Sequence, residues 1–227
     1  MPERIGIAVI DSGANVPHPH LPTVAGGVSI DLEGNLGEDW VDRLGHGTAV
    51  ASAIHEKAPD ADIWAVKVFD DALATSVATL VRAIDWASER GLRLVNLSLG
   101  TPNDFRAAAL EPAVHRAVER GTIIVSAREL DGRAMYPGCM PGVVGVVLDW
   151  DQPRETVRVV EAGSVVAASG YPRPIPGVAP TRNLNGISFA VANTTGVLAS
   201  AMAMRPEIRT SAAALAALMA AAPSGPR

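Results

Sequence analysis

Short runs of apolar and β-branched residues recur along this chain, separated by segments of helical periodicity, and that alternation restricts the fold more than any other feature. The runs are Ile5 to Ile10, Asp62 to Val68, Leu92 to Leu97, Thr122 to Ser126 and Val143 to Leu148, with helical patterns near 75–90 and 106–120. Runs without polar alternation read as strands buried on both faces. Strands spaced by helices read as parallel neighbours. The expected fold class is therefore α/β, a doubly wound, mostly parallel sheet flanked by helices. Gly91 and Gly121, each after an arginine, mark helix C-termini.

Composition supports this architecture and excludes others. With 227 residues and 48% hydrophobic content the chain can bury one sizeable core, so 1–227 is expected to be a single domain. Aromatic content of only 4% leaves Val, Ala, Leu and Ile to build that core. A net charge of −5, with both signs interspersed, lacks the basic stripe of a nucleic-acid binder. The apolar stretches 187–204 and 211–222 contain polar interruptions or are largely alanine, so no membrane partner is expected. The N-terminus, Met-Pro-Glu-Arg-Ile, lacks the regions of a secretion signal. Together with the single Cys139, expected to be a plain loop or core residue, it suggests a cytoplasmic protein. Residues 149–186 are richer in Pro and Gly and are expected to hold short antiparallel strands, Thr156–Val160 and Ser164–Ala168, followed by a loop through Tyr171–Pro180. No internal repeat is present.

Three distant stretches carry chemistry. Ile7-Ala-Val-Ile-Asp11-Ser-Gly13 delivers a carboxylate to the carboxyl end of a buried strand, where open α/β sheets place their sites. Gly45-His46-Gly-Thr48 opens an amphipathic segment, Thr48 to Lys57, so the imidazole projects from a first helical turn. Asn185-Gly-Ile-Ser188-Phe-Ala190 precedes a small and apolar run to Met204, which puts a hydroxyl beside the unpaired amides and positive dipole end of a long buried helix. Each stretch is common by itself. The chain order Asp, His, Ser, with each on its expected element, is one of three orders known for a hydrolytic triad.

With these motifs the chain resembles the subtilisin-like serine peptidases, the subtilase family, over nearly its whole length. Trp64-Ala-Val-Lys-Val68, Val95-Asn-Leu-Ser-Leu-Gly100, Gly121 to Val125 and Tyr136-Pro-Gly138 resemble the segments between the family's motifs. The resemblance implies catalytic roles for Asp11, His46 and Ser188, with no cofactor or metal in the chemistry. It implies an extended peptide or protein substrate paired along the main chain of Ser98, Leu99 and Gly100, with Gly100 leaving room for a side chain. Ala127, Arg128 and Glu129 fall where relatives have small residues lining the pocket for the residue before the scissile bond.

The chain departs from the family's pattern where an asparagine usually donates to the developing oxyanion. Without a gap Leu130 takes that place, and leucine has no donor; a shift of one residue brings Glu129 there instead. Ile187, Ala192 and Asn193 replace the Thr and the Pro-His usual around the serine. The Ser188 backbone amide remains, with Arg128, Asn185 or Asn193 as candidate replacement donors. Two functions follow: a slow or narrowly specific serine endopeptidase, or a peptide-binding module that keeps the groove and has lost turnover. No family-type calcium insertion is expected between His55 and Ile63, and no folding prosegment before the first strand. His18 and His20 are expected in a solvated loop, with His55 and His115 on the surface.

Overall fold

A computed structural model of the chain describes residues 4–161 and 165–221. Strand β1 (Gly6–Asp11) is followed by β2 (Gly26–Ile30), β3 (Leu36–Gly37), helix α1 (His46–Lys57), β4 (Asp62–Lys67), α2 (Val77–Glu89), β5 (Leu94–Leu97) and α3 (Asp104–Glu119). The chain continues through β6 (Ile123–Ala127), β7 (Glu129–Leu130), β8 (Arg133–Ala134), β9 (Val144–Leu148), β10 (Val157–Glu161), β11 (Val165–Ala168), α4 (Ile187–Met204) and α5 (Ser211–Ala221). The main sheet has the order β10-β11-β9-β6-β5-β1-β4-β2-β3. From β11 to β2 every neighbouring pair is parallel, and β10 and β3 close the two edges antiparallel. The doubly wound, mostly parallel α/β sheet read from the sequence is the fold.

Strand side chains alternate between two apolar layers, as the period of two requires. Ile7, Val9, Ile63, Leu94, Ile123 and Val125 join α1, α4 and α5 on one face. Ala8, Ile10, Val66, Val95, Leu97 and Ile124 join α2 and α3 on the other. Both faces are covered, which is why the strands read as unbroken apolar runs. Fully burying one such aliphatic side chain contributes about 1.5–3 kcal/mol. Helix α4 fills the centre of its layer. Among the described residues it is the helix long and apolar enough to cross a membrane by length and composition, yet 67% of it is buried within the fold.

Strand β1 lies between β4 and β5, and the chain winds outward from it in both directions. The crevice of such a sheet opens at the carboxyl ends of its strands beside this reversal. Asp11 is the last residue of β1.

Several elements differ from expectation. The β2–β3 hairpin and the separate two-stranded β7–β8 ribbon were not expected, and α5 was read only as an alanine-rich stretch. The strand expected over Ser164–Ala168 is seen as Val165–Ala168, and Ser164 lies outside the described residues. It pairs antiparallel with β10 but parallel with β9. His55, expected on the surface, is partly buried, and that burial together with the charge of Arg173 lowers its pKa. His115 is exposed.

Candidate active site

Asp11 is buried where β1 ends, and both carboxylate oxygens are engaged. Oδ1 accepts from the Ser12 amide at 2.8 Å and faces His46 Nδ1 at 2.7 Å. Oδ2 accepts from Ser98 Oγ at 3.2 Å. A carboxylate only accepts, so Nδ1 carries the hydrogen and Nε2 keeps a lone pair for another donor. Burial acts to lower the pKa of His46, but the hydrogen bond and charge of Asp11, helped by the charge of Asp42, outweigh it and raise the pKa above the ordinary imidazole value. The imidazole side chain is 16% exposed, so one edge reaches the crevice.

The Asp and His segments meet backbone to backbone. A Cβ on Gly47 would overlap the Gly13 carbonyl, and a Cβ on Gly13 would overlap the carbonyl of Trp40. Only glycines allow this approach.

A residue that the sequence reading missed holds the arrangement together. Asp42 is buried, and its Oδ1 accepts from Ser12 Oγ (2.8 Å), Leu44 N (3.0 Å) and Gly45 N (2.8 Å). Its Oδ2 accepts from Thr48 N (2.8 Å) and Thr48 Oγ1 (2.6 Å). It thus satisfies amides at the start of α1 that Gly45, without a side chain, leaves open. Ser12 Oγ in turn accepts from Gly47 N at 2.9 Å, linking the two motifs. A carboxylate shortly before a helix start was the available signal.

Ser188 lies in the first turn of α4, after Gly186, whose φ is 132°. The turn is anchored by Gly186 N donating to Gly170 O (2.9 Å) and Phe189 N donating to Gly186 O (3.0 Å). The Phe189 ring packs against the His46 ring, with centroids 5.8 Å apart. Helices α1 and α4 pack together, and the structure so brings the serine-bearing turn to the histidine-bearing turn. Asp11 and His46 are in direct contact, and Ser188 is the residue before the Phe189 that packs on the His46 ring.

Ser98 is buried, whereas Leu99 and Gly100 are half-buried. A Cβ on Gly100 would overlap the Tyr136 carbonyl. Beside it Thr101 and Tyr136 exchange two main-chain bonds of 2.9 Å. Ala127 is buried at the end of β6, Arg128 is half-buried with its amide bonded to Val146 O (2.8 Å), and Glu129 is exposed. Leu130 is 45% exposed on the β7–β8 hairpin, whose turn residues Asp131 and Gly132 have φ of 51° and 73°. Two such angles in succession make a type I′ turn. The candidate replacement amides are engaged elsewhere: Asn185 donates to Asn183 O (3.0 Å), and Asn193 to Ser169 O (2.9 Å) and Tyr171 O (3.1 Å). Cys139 is half-buried, its thiol directed at Arg128 O.

Fold and site together define a doubly wound α/β protein with a carboxylate–imidazole pair at the crevice of its central strand. Residues 3–128 match the subtilase family, peptidase family S8, and the chain belongs to that family. It is 32% identical to subtilisin Savinase of Lederbergia lenta over 209 residues, which cover 86% of this chain and 75% of that protein. The M-protease of Shouchella clausii is also 32% identical over 86% of this chain, but over 53% of its own length. The minor extracellular protease Epr of Bacillus subtilis is 37% identical over 63% of this chain and 23% of its own. The chain thus spans about a quarter of Epr and about half of M-protease. Among solved structures, Sphericase superposes with a TM-score of 0.72 at 24% identity, covering 95% of this chain and 83% of its own. The nisin leader peptidase NisP from Lactococcus lactis superposes with a TM-score of 0.69 at 19% identity, covering 92% and 80%. These two likenesses are of fold.

Proposed function

We propose that the protein is a serine endopeptidase working by acyl transfer. Asp11 holds His46 with Nδ1 protonated; Nε2 takes the proton from Ser188 as its oxygen attacks a peptide carbonyl, then returns it to the leaving amine. Water repeats the cycle on the acyl-enzyme. The observation that carries this reading is the 2.7 Å bond from His46 Nδ1 to Asp11 Oδ1, formed at the crevice next to the helix start that bears Ser188. The relatives named as proteases support it. The substrate is an extended peptide lying along Ser98 to Gly100.

Turnover is slow or narrow in specificity. The amides at the start of α4, that of Ser188 included, supply oxyanion donors, but Leu130 brings none. Removing one side-chain donor typically lowers kcat by about 10²–10³-fold. The test is covalent labelling with a fluorophosphonate: wild type is labelled and Ser188→Ala is not. A folded wild type that stays unlabelled defeats the proposal.

One observation favours a second reading. The segment 128–134 is built as a hairpin with an exposed leucine in place of a donor-bearing loop. A peptide-binding module that lacks turnover would retain peptide affinity in Ser188→Ala and show no cleavage on long incubation.

A further inference from the structure

Asn193 is fully buried on α4, and its two amide hydrogens go to the carbonyls of Ser169 and Tyr171. Between those carbonyls lies Gly170, whose own carbonyl accepts the amide of Gly186 at 2.9 Å. Gly186 is the residue from which α4 starts, two positions before Ser188. The amide of Asn193 therefore fixes a strip of backbone, and that strip fixes the entry to the serine turn. The strip is also held by Arg154, whose Nε donates to the same Tyr171 O at 3.2 Å while its guanidinium pairs with Glu56 of α1. The segment 169–171 is thereby tied to the serine helix and to the histidine helix at once.

Asn193 has an unfavourable side to its placement. Its Oδ1 and the Oγ of Ser169 in the strip are both buried without a hydrogen-bond partner. A buried acceptor left without a donor is destabilising, a cost that an apolar residue of the same shape would avoid. What the amide offers in return is its two donors, and both point at the strip that positions Gly186.

We infer that Asn193 is a positioning residue for Ser188: through the 169–171 strip and Gly186 it sets the hydroxyl against His46. This rests on the peptidase function proposed above. The test compares fluorophosphonate labelling rates of the full chain in wild type, Asn193→Leu, Asn193→Ser and Thr194→Val, each assayed well below its unfolding temperature. Leucine keeps the volume and loses both donors; serine keeps one and serves if the leucine variant does not fold. Thr194→Val removes a buried hydroxyl bond to Ala190 O on the same helix without touching the strip. A misplacement near 1 Å lowers rate by up to about 10²-fold, so Asn193→Leu is expected to label about 10–10²-fold more slowly, Asn193→Ser in between, and Thr194→Val within about twofold of wild type. For a peptide substrate the Asn193 variants lower kcat and leave KM within about twofold, because the groove strand is not moved. Labelling of Asn193→Leu at the wild-type rate, or an equal slowing in Thr194→Val, overturns the inference. An unlabelled, folded wild type instead overturns the peptidase function itself, so the two failures are distinguishable.

Discussion

Ser98 Oγ donates to Asp11 Oδ2 across 3.2 Å, so the carboxylate that orients the imidazole is gripped from the residue just past the neighbouring strand β5 as well as from its own turn. Ser98→Ala removes one neutral donor to a charged acceptor, worth about 1.5–3 kcal/mol in the general case. Part of that loss falls on the orientation of His46, and kcat is expected to fall about tenfold with KM unchanged. Steady-state kinetics on one peptide substrate checks both numbers.

Asp11→Asn keeps the shape of the side chain and reverses its hydrogen bonding. The amide can present hydrogens to Nδ1, which moves the imidazole proton to Nε2 and removes the base. In triads of this kind that exchange lowers kcat by about 10⁴-fold. Circular dichroism of the variant is expected to match wild type while labelling becomes slower by that order.

The pKa of His46 lies above the ordinary value because of Asp11 and Asp42. Catalysis needs the neutral ring, so kcat/KM rises with pH and its acid limb has a midpoint above about 6.5. Stability runs the other way. A group whose folded pKa is raised contributes stability that is complete below its unfolded pKa and is lost as pH rises through the folded one. The melting temperature of wild type relative to His46→Gln is therefore expected to fall over the same pH range in which activity appears. A thermal scan series across that range, beside the kinetic profile, tests the pair.

Asp42 accepts five hydrogen bonds while buried. Asp42→Ala strands those donors, and a loss of about 3 kcal/mol or more in unfolding free energy is expected, with slower labelling of Ser188 in the molecules that remain folded. Asp42→Asn keeps one acceptor oxygen and falls between. Urea titration gives the magnitude.

The sheet was legible because its central strands are covered on both sides, which writes them as uninterrupted apolar runs such as Ile7 to Ile10. Strand β2 escaped notice because Gly26-Gly27 opens it and only two of its five residues are buried. The β7–β8 hairpin carried a local signal, Asp131-Gly132, that alignment to the family's loop obscured. Asp11 stood out as the carboxylate ending an apolar run just before Gly13, and His46 as the imidazole between Gly45 and Gly47; Gly13 and Gly47 are what bring the two backbones together. Asp42 did not, since its role depends on three amides folding back onto it. Ser98 was read for its main chain, whereas its hydroxyl is what reaches Asp11. Asn193 was weighed as an oxyanion donor from its position after the serine, and its burial and its two carbonyl partners became visible only in three dimensions.

The close approach of Gly13 and Gly47 makes the acid-bearing turn and the imidazole-bearing turn a single mechanical part. A methyl group introduced in either one pushes on the other, so neither can be altered, transplanted or relaxed by mutation independently. Anyone moving this chemistry onto a new scaffold would have to carry both turns together, with Ser12 and Asp42 as their rivets.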